Sequence, residues 1–398
     1  MTRDQTRQHP TGQTRPAAQD GATPARPVAS GMRGIAAVPS FVVMQPTTLC
    51  NLDCSYCYLP LRATDRQMPV PVAVAVAESV NRWAATGRFS VVWHGGEPLA
   101  VGRRQLGALL APFGAAVEHH VQTNATLIDD AWCEFFIDHR MRVSVSVDGA
   151  RHRNGDRRGR GGRPAYDQIL RGVEALRRHG ITFSALCVVS DPHPGLASEL
   201  YDFFLELGCD VLGINIEETE GVNLRPNRWS AEAVAGFWAE LVGAWRQAPR
   251  IHLREVEWTL RYAAAVLDGT ADEVLPRQLD PMPTIAYDGS VVLLSPELAG
   301  FSDPRYGDFV SGNVLQTGLA ELLTDPAQPG WIAEFTTGIE TCRRECPYFR
   351  FCGGGHAANR YFEHGRFDGT ETNHCRNSKI HLLEGVLAHA RDEQPSAA

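Results

Sequence analysis

The stretch that decides the fold is Cys50-Asn51-Leu52-Asp53-Cys54-Ser55-Tyr56-Cys57, which follows a short apolar run at 41–45. It spaces three cysteines as Cys-x3-Cys-x2-Cys within one loop. Cysteine thiolates hold iron–sulfur clusters, and a [4Fe–4S] cluster normally takes four of them. Three thiolates would leave one iron open to a small molecule. We therefore predict a catalytic cluster on Cys50, Cys54 and Cys57. The alternatives are unliganded core thiols or a zinc site, but zinc sites more often pair Cys-x2-Cys units with a fourth ligand.

The composition is that of a globular, metal-binding chain. Of 398 residues, 43% are hydrophobic, so a large core is available and global disorder is excluded. The net charge of −8 argues against nucleic acid as the main partner. The ten cysteines are partly grouped, in a chain too long for a disulfide scaffold. With no export signal and no apolar run of about 20 residues, we expect a soluble cytoplasmic protein without a membrane partner.

Short apolar runs alternate with helical patterns from residue 41 onward. Such alternation predicts a parallel sheet with right-handed helical crossovers. Six strand candidates are fewer than the eight of a closed barrel, so an α/β fold with a partial, open (β/α)6 barrel is expected. The strand candidates are 41–45, 90–93, 118–122, 142–147, 182–189 and 210–216, and the helix candidates are 72–85, 103–113, 129–139, 166–179 and 195–207.

The rhythm changes after the sixth strand candidate. Helices are predicted near 230–247 and 254–268, and a hairpin over 284–294 around the turn dipeptide Asp288-Gly289. The segment 340–380 is rich in Cys, Gly and Asn and weakly periodic, so we expect metal ligation to hold it together. The predicted organisation is a disordered tail at 1–36, the barrel at 37–225, a helical bridging region at 226–283, a cluster domain at 284–385 and a C-terminal tail at 386–398.

Polar residues follow the next three strand candidates, where a parallel barrel gathers its functional groups. Gly95 and Gly96 allow close backbone approach to a ligand, and Glu97 offers a carboxylate to a cationic amine. The third and fourth strands bring further polar groups, namely Gln122, Thr123, Asn124, Ser144, Ser146 and Asp148. A bare turn, helix capping and turn formation are the alternatives for single members of this set. Together the strand ends predict one ligand-binding rim.

A second cysteine group lies near the end of the chain. Cys342, Cys346, Cys352 and Cys375 are four in number, enough to saturate one [4Fe–4S] cluster. A saturated cluster has no open iron, so its expected task is electron transfer or structure. A structural zinc knuckle is the alternative. The scattered Cys133, Cys187 and Cys209 fall in helix or strand patterns and are expected to be buried thiols.

The cysteine loop resembles the signature of the radical S-adenosylmethionine (AdoMet) superfamily, including an aromatic residue before the last cysteine. The resemblance implies that the open iron chelates AdoMet, whose reductive cleavage gives a 5′-deoxyadenosyl radical. It further implies that Tyr56 packs near the adenine and that the Gly-Gly-Glu-Pro stretch holding Glu97 binds the AdoMet amino group. Ser146 and Asn124 would touch the ribose or methionine part, and Asp148 would belong to the same cofactor-binding rim.

The C-terminal region resembles the SPASM domain of peptide-modifying radical AdoMet enzymes, which often holds two auxiliary clusters. This chain departs from that pattern at two positions. The strand after Asp288-Gly289 carries no cysteine, and His356 stands where a cysteine is expected four residues past Cys352. The resemblance therefore implies one auxiliary [4Fe–4S] cluster on Cys342, Cys346, Cys352 and Cys375. His356 is a further candidate ligand or base, with a loop hydrogen bond as the plainer role.

Several short motifs look like those of cyclophane-forming peptide maturases, and residues 30–60 look most like the actinobacterial multiple-cyclophane branch. The motifs are Gly353-Gly354-Gly355, Asn359-Arg360-Tyr361-Phe362-Glu363, Phe367-Asp368-Gly369-Thr370-Glu371-Thr372, Ser295-Pro296-Glu297-Leu298 and Gly312-Asn313-Val314. This resemblance implies a carbon–carbon bond between an aromatic ring and the β-carbon of a residue two positions later in a ribosomal precursor peptide. An electron donor such as flavodoxin or ferredoxin is an implied partner. No peptide-recognition domain is evident in the sequence, so leader binding needs either a separate leader-binding protein or the edge of the barrel itself.

Such a reaction needs a base, because the ring adduct loses a proton as well as an electron. Glu217 and Glu218 follow the sixth strand, and we favour Glu218, with solvated surface as the alternative for both. Asp288 is a third candidate that the turn already explains. A loop rich in arginine could steer an acidic leader peptide, although a solvated loop is the plainer interpretation. Its members are Arg151, Arg153, Arg157, Arg158, Arg160 and Arg163.

Three other functions remain open from the sequence. One is a different SPASM-type peptide oxidation, such as sulfatase maturation to formylglycine or thioether formation. Another is a non-catalytic iron–sulfur electron carrier, which would need neither the Gly-Gly-Glu-Pro motif nor a barrel. The last is a zinc-stabilised binding module, which metal analysis would distinguish by its zinc content.

Overall fold

A computed structural model describes residues 34–226, 229–274 and 278–392. Each of the six predicted strands is present, with ends that differ from the predicted ones by at most one residue. Apolar side chains alternate with less buried ones along most of them, as expected for strands packed against helices. The strands are β1 Phe41–Met44, β2 Phe89–Trp93, β3 Val117–Thr123, β4 Arg142–Ser146, β5 Phe183–Val189 and β6 Val211–Ile216.

The six strands pair in chain order, each parallel to the next. Helices cross over between them, and buried Val72, Val76 and Val80 show the spacing that presents one apolar face of the first helix to the sheet. The predicted parallel sheet with helical crossovers is therefore confirmed. The crossover helices are α1 Val70–Ala84, α2 Gly102–Leu110, α3 Asp130–Asp138, α4 Tyr166–Arg178 and α5 Leu196–Leu207.

The sheet does not stop where the predicted barrel ends. Within the described residues it has ten strands in the order β10-β9-β8-β1-β2-β3-β4-β5-β6-β7. β8 runs parallel to β1, and the predicted hairpin β8–β9 is antiparallel, so backbone hydrogen bonds join the barrel to the C-terminal region. One short strand also lies inside the predicted helical bridging region. The added elements are α6 Ala231–Gln247, β7 His252–Leu253, α7 Arg254–Leu267, α8 Ala271–Val274, β8 Thr284–Ile285, β9 Ser290–Val292 and β10 Gly312–Asn313.

The C-terminal cysteine segment packs into the main hydrophobic core through Ala357, Ala358 and Phe367, so the expectation that metal ligation rather than a hydrophobic core holds it is wrong. Trp331, Phe335 and Phe367 are buried, and the rings of Trp331 and Phe367 lie 4.9 Å apart. The weak periodicity arises because the helices are short and their boundaries fall close together. They are α9 Leu319–Thr324, α10 Gly330–Glu345, α11 Phe349–Cys352, α12 Ala357–His364, α13 Asn373–Cys375, a π-helical turn Arg376–Ile380 and α14 His381–Asp392.

Both predicted tails are too long at their inner ends. Residues 1–33 and 393–398 lie outside the described residues, but Ile35 is buried and bridges Leu279. At the other end α14 continues to Asp392, and Val386 on it is buried. Among the described residues, no helix combines the length and apolarity that crossing a membrane requires.

The contact of α14 with α6 fixes the last helix and provides a stability test. A Cβ on buried Gly385 would lie 2.4 Å from the carbonyl oxygen of Ala235 and 2.9 Å from the Cβ of Trp238. Gly385→Ala should therefore destabilise the protein by about 1–3 kcal/mol, because the two helices must move apart. Urea unfolding followed by circular dichroism measures this effect.

Gly236→Ala is the matched control on α6. Its added Cβ meets no atom within 4 Å, so it should stabilise the helix by about 0.5–1 kcal/mol. Equal effects of the two substitutions would contradict the close packing of α6 on α14.

Candidate active site

The cysteine loop follows β1 at the carboxyl end of the sheet. Its backbone is fixed by hydrogen bonds from Cys50 N to the carbonyl of Arg62 and from Cys57 N to that of Cys54, at 2.9 and 3.1 Å. Burial raises the pKa of Cys50 to about 12 and that of Cys54 to about 11, and it raises the pKa of Cys57 as well. These desolvated thiols are poor ligands while protonated, but iron binding can displace their protons.

An iron–sulfur cluster needs a different spacing from a single ion, because each thiolate binds its own iron. In the part of the chain that the structure describes, no three His, Cys, Asp or Glu side chains are close enough to share one metal ion. The loop thiols still act on one another: besides burial and Glu97, the charges of Cys54 and Cys57 raise the pKa of Cys50. Three cysteine thiols on one loop are donors of the kind that hold iron–sulfur clusters, so the residues present fit such a cluster.

The Gly95-Gly96-Glu97 turn packs directly against the cysteine loop. Gly96 has φ +63°, and a Cβ there would lie 2.5 Å from the carbonyl oxygen of Leu49, so this close approach requires glycine. Glu97 is buried, and its carboxylate accepts hydrogen bonds from Leu99 N, Thr123 Oγ1 and Asn124 N at 3.1, 2.6 and 2.8 Å. Burial raises its pKa, and these donors oppose the rise. Glu97 thus joins the ends of β2 and β3.

Asn124 and Ser146 lie at neighbouring strand ends, as predicted. The amide of Asn124 donates to Asn51 Oδ1 at 2.9 Å and lies 3.8 Å from the sulfur of Cys50. Ser146 Oγ accepts a hydrogen bond from Gln122 Nε2 at 2.7 Å. Asn124 is therefore in direct contact with the cysteine loop, while Ser146 is one strand further along the sheet.

Asp148 and Tyr56 form a buried ionic group with Arg157. The guanidinium of Arg157 donates to both oxygens of Asp148 at 2.9 and 3.0 Å, and Tyr56 OH donates to the same carboxylate at 2.6 Å. Arg157 is 5% exposed and lies 5.5 Å from the centre of the Tyr56 ring. It also opposes the effect of burial on the pKa of Cys54. Tyr56 and Asp148 are thus brought together, and Asp148 holds a cation of the chain itself.

The arginine-rich loop is solvated in large part, as its composition suggested, since Arg151, Arg158, Arg160 and Arg163 are exposed, but Arg157 is buried. Besides Arg157, Arg160 reaches the cysteine loop, where its Nε donates to the carbonyl of Cys50 at 2.9 Å. The carbonyl of Arg158 accepts a hydrogen bond from Asp53 N at 2.7 Å. Charge counting missed these roles because it does not show which arginine of a cluster faces inward. The position of Arg157 nine residues after Asp148 was the available signal.

The predicted base Glu218 lies in a partly buried carboxylate cluster at the junction of β6 and the C-terminal helices. The cluster consists of Glu218, Glu220, Glu297, Asn359 and His374. The amide of Asn359 bridges Glu218 and Glu220, and His374 Nδ1 lies 2.8 Å from Glu218 Oε1. Burial raises the pKa of Glu218 and of Glu297 to about 7, and that of Glu220 well above its usual value. One oxygen of Glu297, Oε2, is buried without a hydrogen-bond partner among the described atoms.

The other two base candidates lie in different surroundings. Glu217 is buried and accepts a hydrogen bond from Asn223 Nδ2 at 3.1 Å, and Arg225 Nε lies 3.5 Å from the same oxygen. Asp288 is exposed, and its carboxylate accepts a hydrogen bond from Ser290 N at 3.0 Å within the hairpin turn. The structure does not bring Asp288 into the carboxylate cluster, since the turn uses it.

The four C-terminal cysteines line one cavity of about 280 Å³, together with His356 and Arg360. Cys342 and Cys375 are buried, and Cys346 and Cys352 are partly buried. A hydrogen bond from Cys375 lowers the pKa of Cys352. The ring of His356 lies 4.7 Å from that of His374. This set of four thiols around a cavity fits a saturated cluster. Cys133, Cys187 and Cys209 are buried free thiols, as predicted.

Comparison with known proteins assigns the family. Residues 44–196 match the model of the radical SAM superfamily. An uncharacterised protein of Synechocystis sp., sll1766, is 32% identical over 372 residues, which cover 89% of this chain and 92% of that protein. A serine-type anaerobic sulfatase-maturating enzyme of Klebsiella aerogenes is 33% identical over 229 residues, which cover 53% of this chain. That match spans about half of the enzyme's length, at 54%. The chain belongs to the radical SAM superfamily.

Solved structures agree on the fold across most of the chain. The structure of anSMEcpe with bound AdoMet has a TM-score of 0.68 at 19% identity and covers 88% of this chain and 97% of its own. Streptococcus suis SuiB bound to its precursor peptide SuiA has a TM-score of 0.62 at 17% identity and covers 86% of this chain and 76% of its own. The predicted fold class, a radical SAM partial barrel with a C-terminal extension, is therefore confirmed.

The Arg157–Asp148 pair yields a prediction on the stability of the whole protein. Arg157→Gln leaves Asp148 buried without its cation and should destabilise the protein by about 3–5 kcal/mol. Arg163→Gln removes the same charge from an exposed position in the same loop and should cost less than about 0.5 kcal/mol. Urea unfolding of the two iron-free variants measures the difference. Similar effects of both variants would contradict a buried, paired Arg157.

Glu218 yields a prediction on pH. Its pKa of about 7 in the folded protein lies above its ordinary value of 4.5. Between those values the folded state holds a proton that the unfolded state has lost, so the free energy of unfolding should fall as pH rises. Glu218→Gln should make that fall shallower, and Glu78→Gln, at an exposed helix position, should leave it unchanged. The free energy of unfolding of the parent and both variants is measured across this pH range. The same pH dependence in all three proteins would contradict a raised pKa of Glu218.

Proposed function

We propose that the protein is a radical AdoMet peptide maturase that forms cyclophane crosslinks in a ribosomal precursor peptide. One observation carries the proposal: Glu218, at the end of β6, contacts His374, which immediately precedes Cys375. After a carbon radical attacks an aromatic ring, the adduct must lose one proton and one electron. A carboxylate beside the C-terminal thiols brings a proton acceptor and the ligands of an electron acceptor to one place.

The residues of the rim have separate tasks in this reaction. Cys50, Cys54 and Cys57 would hold the cluster that, with AdoMet bound, supplies a 5′-deoxyadenosyl radical able to take hydrogen from an unactivated β-carbon. Because Gly96 has no side chain, the Gly95-Gly96 backbone can lie against the carbonyl groups of Thr47 and Leu49, next to the cysteine loop. AdoMet bound at that loop would therefore be close to this backbone. Asn124 orients the loop through Asn51. Tyr56, Glu97, Ser146 and Asp148 complete the proposed AdoMet rim.

Glu218 is the proposed proton acceptor. The pKa of the Glu218 carboxylate, about 7, lies near neutral pH. General bases work best when their pKa lies near the operating pH. Asn359 orients its carboxylate from α12, and the same amide also donates to Glu220. Glu217 is held by Asn223 instead, which makes it the weaker candidate.

The C-terminal thiols support one auxiliary [4Fe–4S] cluster. Cys342, Cys346, Cys352 and Cys375 line a single cavity, and β9 contributes valine where a second cluster would need a cysteine. The substrate is proposed to be a precursor peptide by analogy with SuiB, whose structure holds the precursor peptide SuiA. A flavodoxin or ferredoxin would donate electrons, and a separate leader-binding protein could present the peptide.

Sulfatase-type oxidation of a serine or cysteine to formylglycine is the second candidate. The identity of 33% to the serine-type sulfatase-maturating enzyme of Klebsiella aerogenes favours it. The match covers 53% of this chain. The single C-terminal set of four cysteines favours the crosslinking function instead.

The test is the mass of a short precursor peptide, encoded beside this gene, after anaerobic co-expression with the enzyme. Loss of two hydrogens per event, with no fragmentation between the joined residues, is expected for crosslinking. Loss of two hydrogens confined to one serine would establish the oxidation instead, as would loss of two hydrogens with exchange of sulfur for oxygen at one cysteine, whose sulfur leaves as hydrogen sulfide. Replacing Cys50, Cys54 and Cys57 by alanine should abolish both the mass change and the formation of 5′-deoxyadenosine, and survival of the latter would refute the radical mechanism.

Glu218→Gln separates the base from the radical step in the same experiment. It should still form 5′-deoxyadenosine while crosslinking falls by roughly 100-fold or more, a usual effect of removing a general base. Glu217→Gln is the matched neighbour and should retain most crosslinking. Undiminished crosslinking by Glu218→Gln would remove Glu218 from the mechanism.

A further inference from the structure

We infer that Arg360 is a positioning residue that sets the reduction potential of the auxiliary cluster, so that this cluster accepts rather than donates an electron. The inference rests on the proposed function in one respect, the presence of an auxiliary cluster on the four C-terminal thiols. It concerns a residue that the sequence motifs did not single out for any chemical task. Three features of Arg360 support it: its contact with a ligand sulfur, its built cradle and its charge.

Arg360 lines the cysteine cavity from α12 and is 1% exposed. Its Nη2 donates to the sulfur of Cys342 at 3.5 Å and to the carbonyl of Gly354 at 2.6 Å. Its Nη1 donates to the carbonyl of Phe367 at 3.1 Å and lies 3.4 Å from that of Phe335. The guanidinium is therefore fixed with one edge on backbone oxygens and the other on a ligand sulfur.

The surrounding helix is shaped to admit this side chain. A Cβ on Gly338 of α10 would lie 2.0 Å from Nη1 of Arg360, so only glycine leaves the space. The guanidinium also lies 4.9 Å from the centre of the Phe335 ring. Gly338 thus leaves space for the guanidinium of Arg360, while the Phe335 ring and three carbonyl groups fix its position.

The charge of Arg360 is not neutralised by a hydrogen-bonded carboxylate within the described part of the chain. Asp368 is the carboxylate whose charge acts on Arg360, but it forms its ion pair with Arg366, at 2.6 Å. A buried cation of this kind is costly unless an anion accompanies it. A cluster bound to four thiolates carries net negative charge, and the thiolates of Cys342, Cys352 and Cys375 are the anions that act on Arg360.

Lys379 differs from Arg360 in this respect. Its ammonium lies 4.7 Å from the ring of Trp258, and besides Cys352 it acts on the carboxylates of Glu255 and Glu218. Its charge is therefore shared with the carboxylate cluster. Arg360 is the cation committed to the thiols.

Net charge and hydrogen bonds to sulfur are among the factors that set cluster potentials. Reduction adds one negative charge, which a buried guanidinium and an N–H···S contact both stabilise. Arg360 therefore raises the potential. The electron comes from the ring adduct, which is oxidised as its proton goes to Glu218, and it leaves the reduced cluster for a one-electron carrier of the flavodoxin or ferredoxin class.

The experiment isolates the auxiliary cluster in the full chain with Cys50, Cys54 and Cys57 replaced by alanine. Redox titration followed by electron paramagnetic resonance gives its midpoint potential, a measurement independent of catalysis. Arg360→Gln should lower the potential. Arg344→Gln is the matched control: it removes the same charge from α10 two residues after Cys342, but from an exposed side chain, and its shift should be much smaller.

Arg360→Lys keeps the charge but not the planar fork that reaches sulfur and carbonyls together, and its potential should fall between those of the parent and Arg360→Gln. If Arg360→Gln fails to hold iron, Arg360→Lys decides: a potential lower than that of the Arg344→Gln control supports the inference, and an unchanged one overturns it. A shift in Arg360→Gln no larger than in the control also overturns it. If the protein with Cys50, Cys54 and Cys57 replaced by alanine binds no iron at all, the inference is overturned as well. The radical function would still be supported in that case if the parent protein forms 5′-deoxyadenosine.

Discussion

The buried ion pair between Arg157 and Asp148 is the constraint on which the active rim depends. Asp148 stands at the end of β4, and besides Arg157 it accepts hydrogen bonds from Tyr56 of the cysteine loop and from Val188 N of β5. One carboxylate thus connects two strand ends, the arginine-rich loop and the aromatic residue between Cys54 and Cys57. Because the pair is buried, loss of either partner leaves an isolated charge that the surrounding structure cannot solvate.

A second constraint is the absence of side chains where backbone segments meet. Gly96 brings its backbone within reach of the carbonyl groups of Thr47 and Leu49, and Gly338 admits the guanidinium of Arg360. Each is fixed by a neighbour distant in sequence. At each proposed cluster site a glycine therefore allows a close approach, by backbone carbonyl groups at Gly96 and by a guanidinium at Gly338.

The sequence predicted the features that follow from local pattern. The six strands of the barrel are short apolar runs that alternate with helices, and that pattern is enough to place them. It offered Glu218 as a base after the sixth strand, but not its contact with His374 beside the C-terminal thiols, since contacts between distant segments have no local signal. The aromatic core around Trp331 and Phe367 was missed for the same reason. Trp331 lies on α10 and Phe367 lies between α12 and α13, so no local period connects the two rings.

Arg157 and Arg360 show most clearly where sequence reasoning stops. Both belong to arginine-containing motifs, and both are almost fully buried, although arginine is usually exposed unless it is paired. Arg157 has a carboxylate partner within the chain, so its burial is explained by the protein alone. Arg360 has carbonyl groups and a cysteine sulfur instead. The difference matters, because a guanidinium that the protein buries without a bonded carboxylate implies an anion that the thiols must supply, and a ligated iron–sulfur cluster is an anion of the right charge at that position.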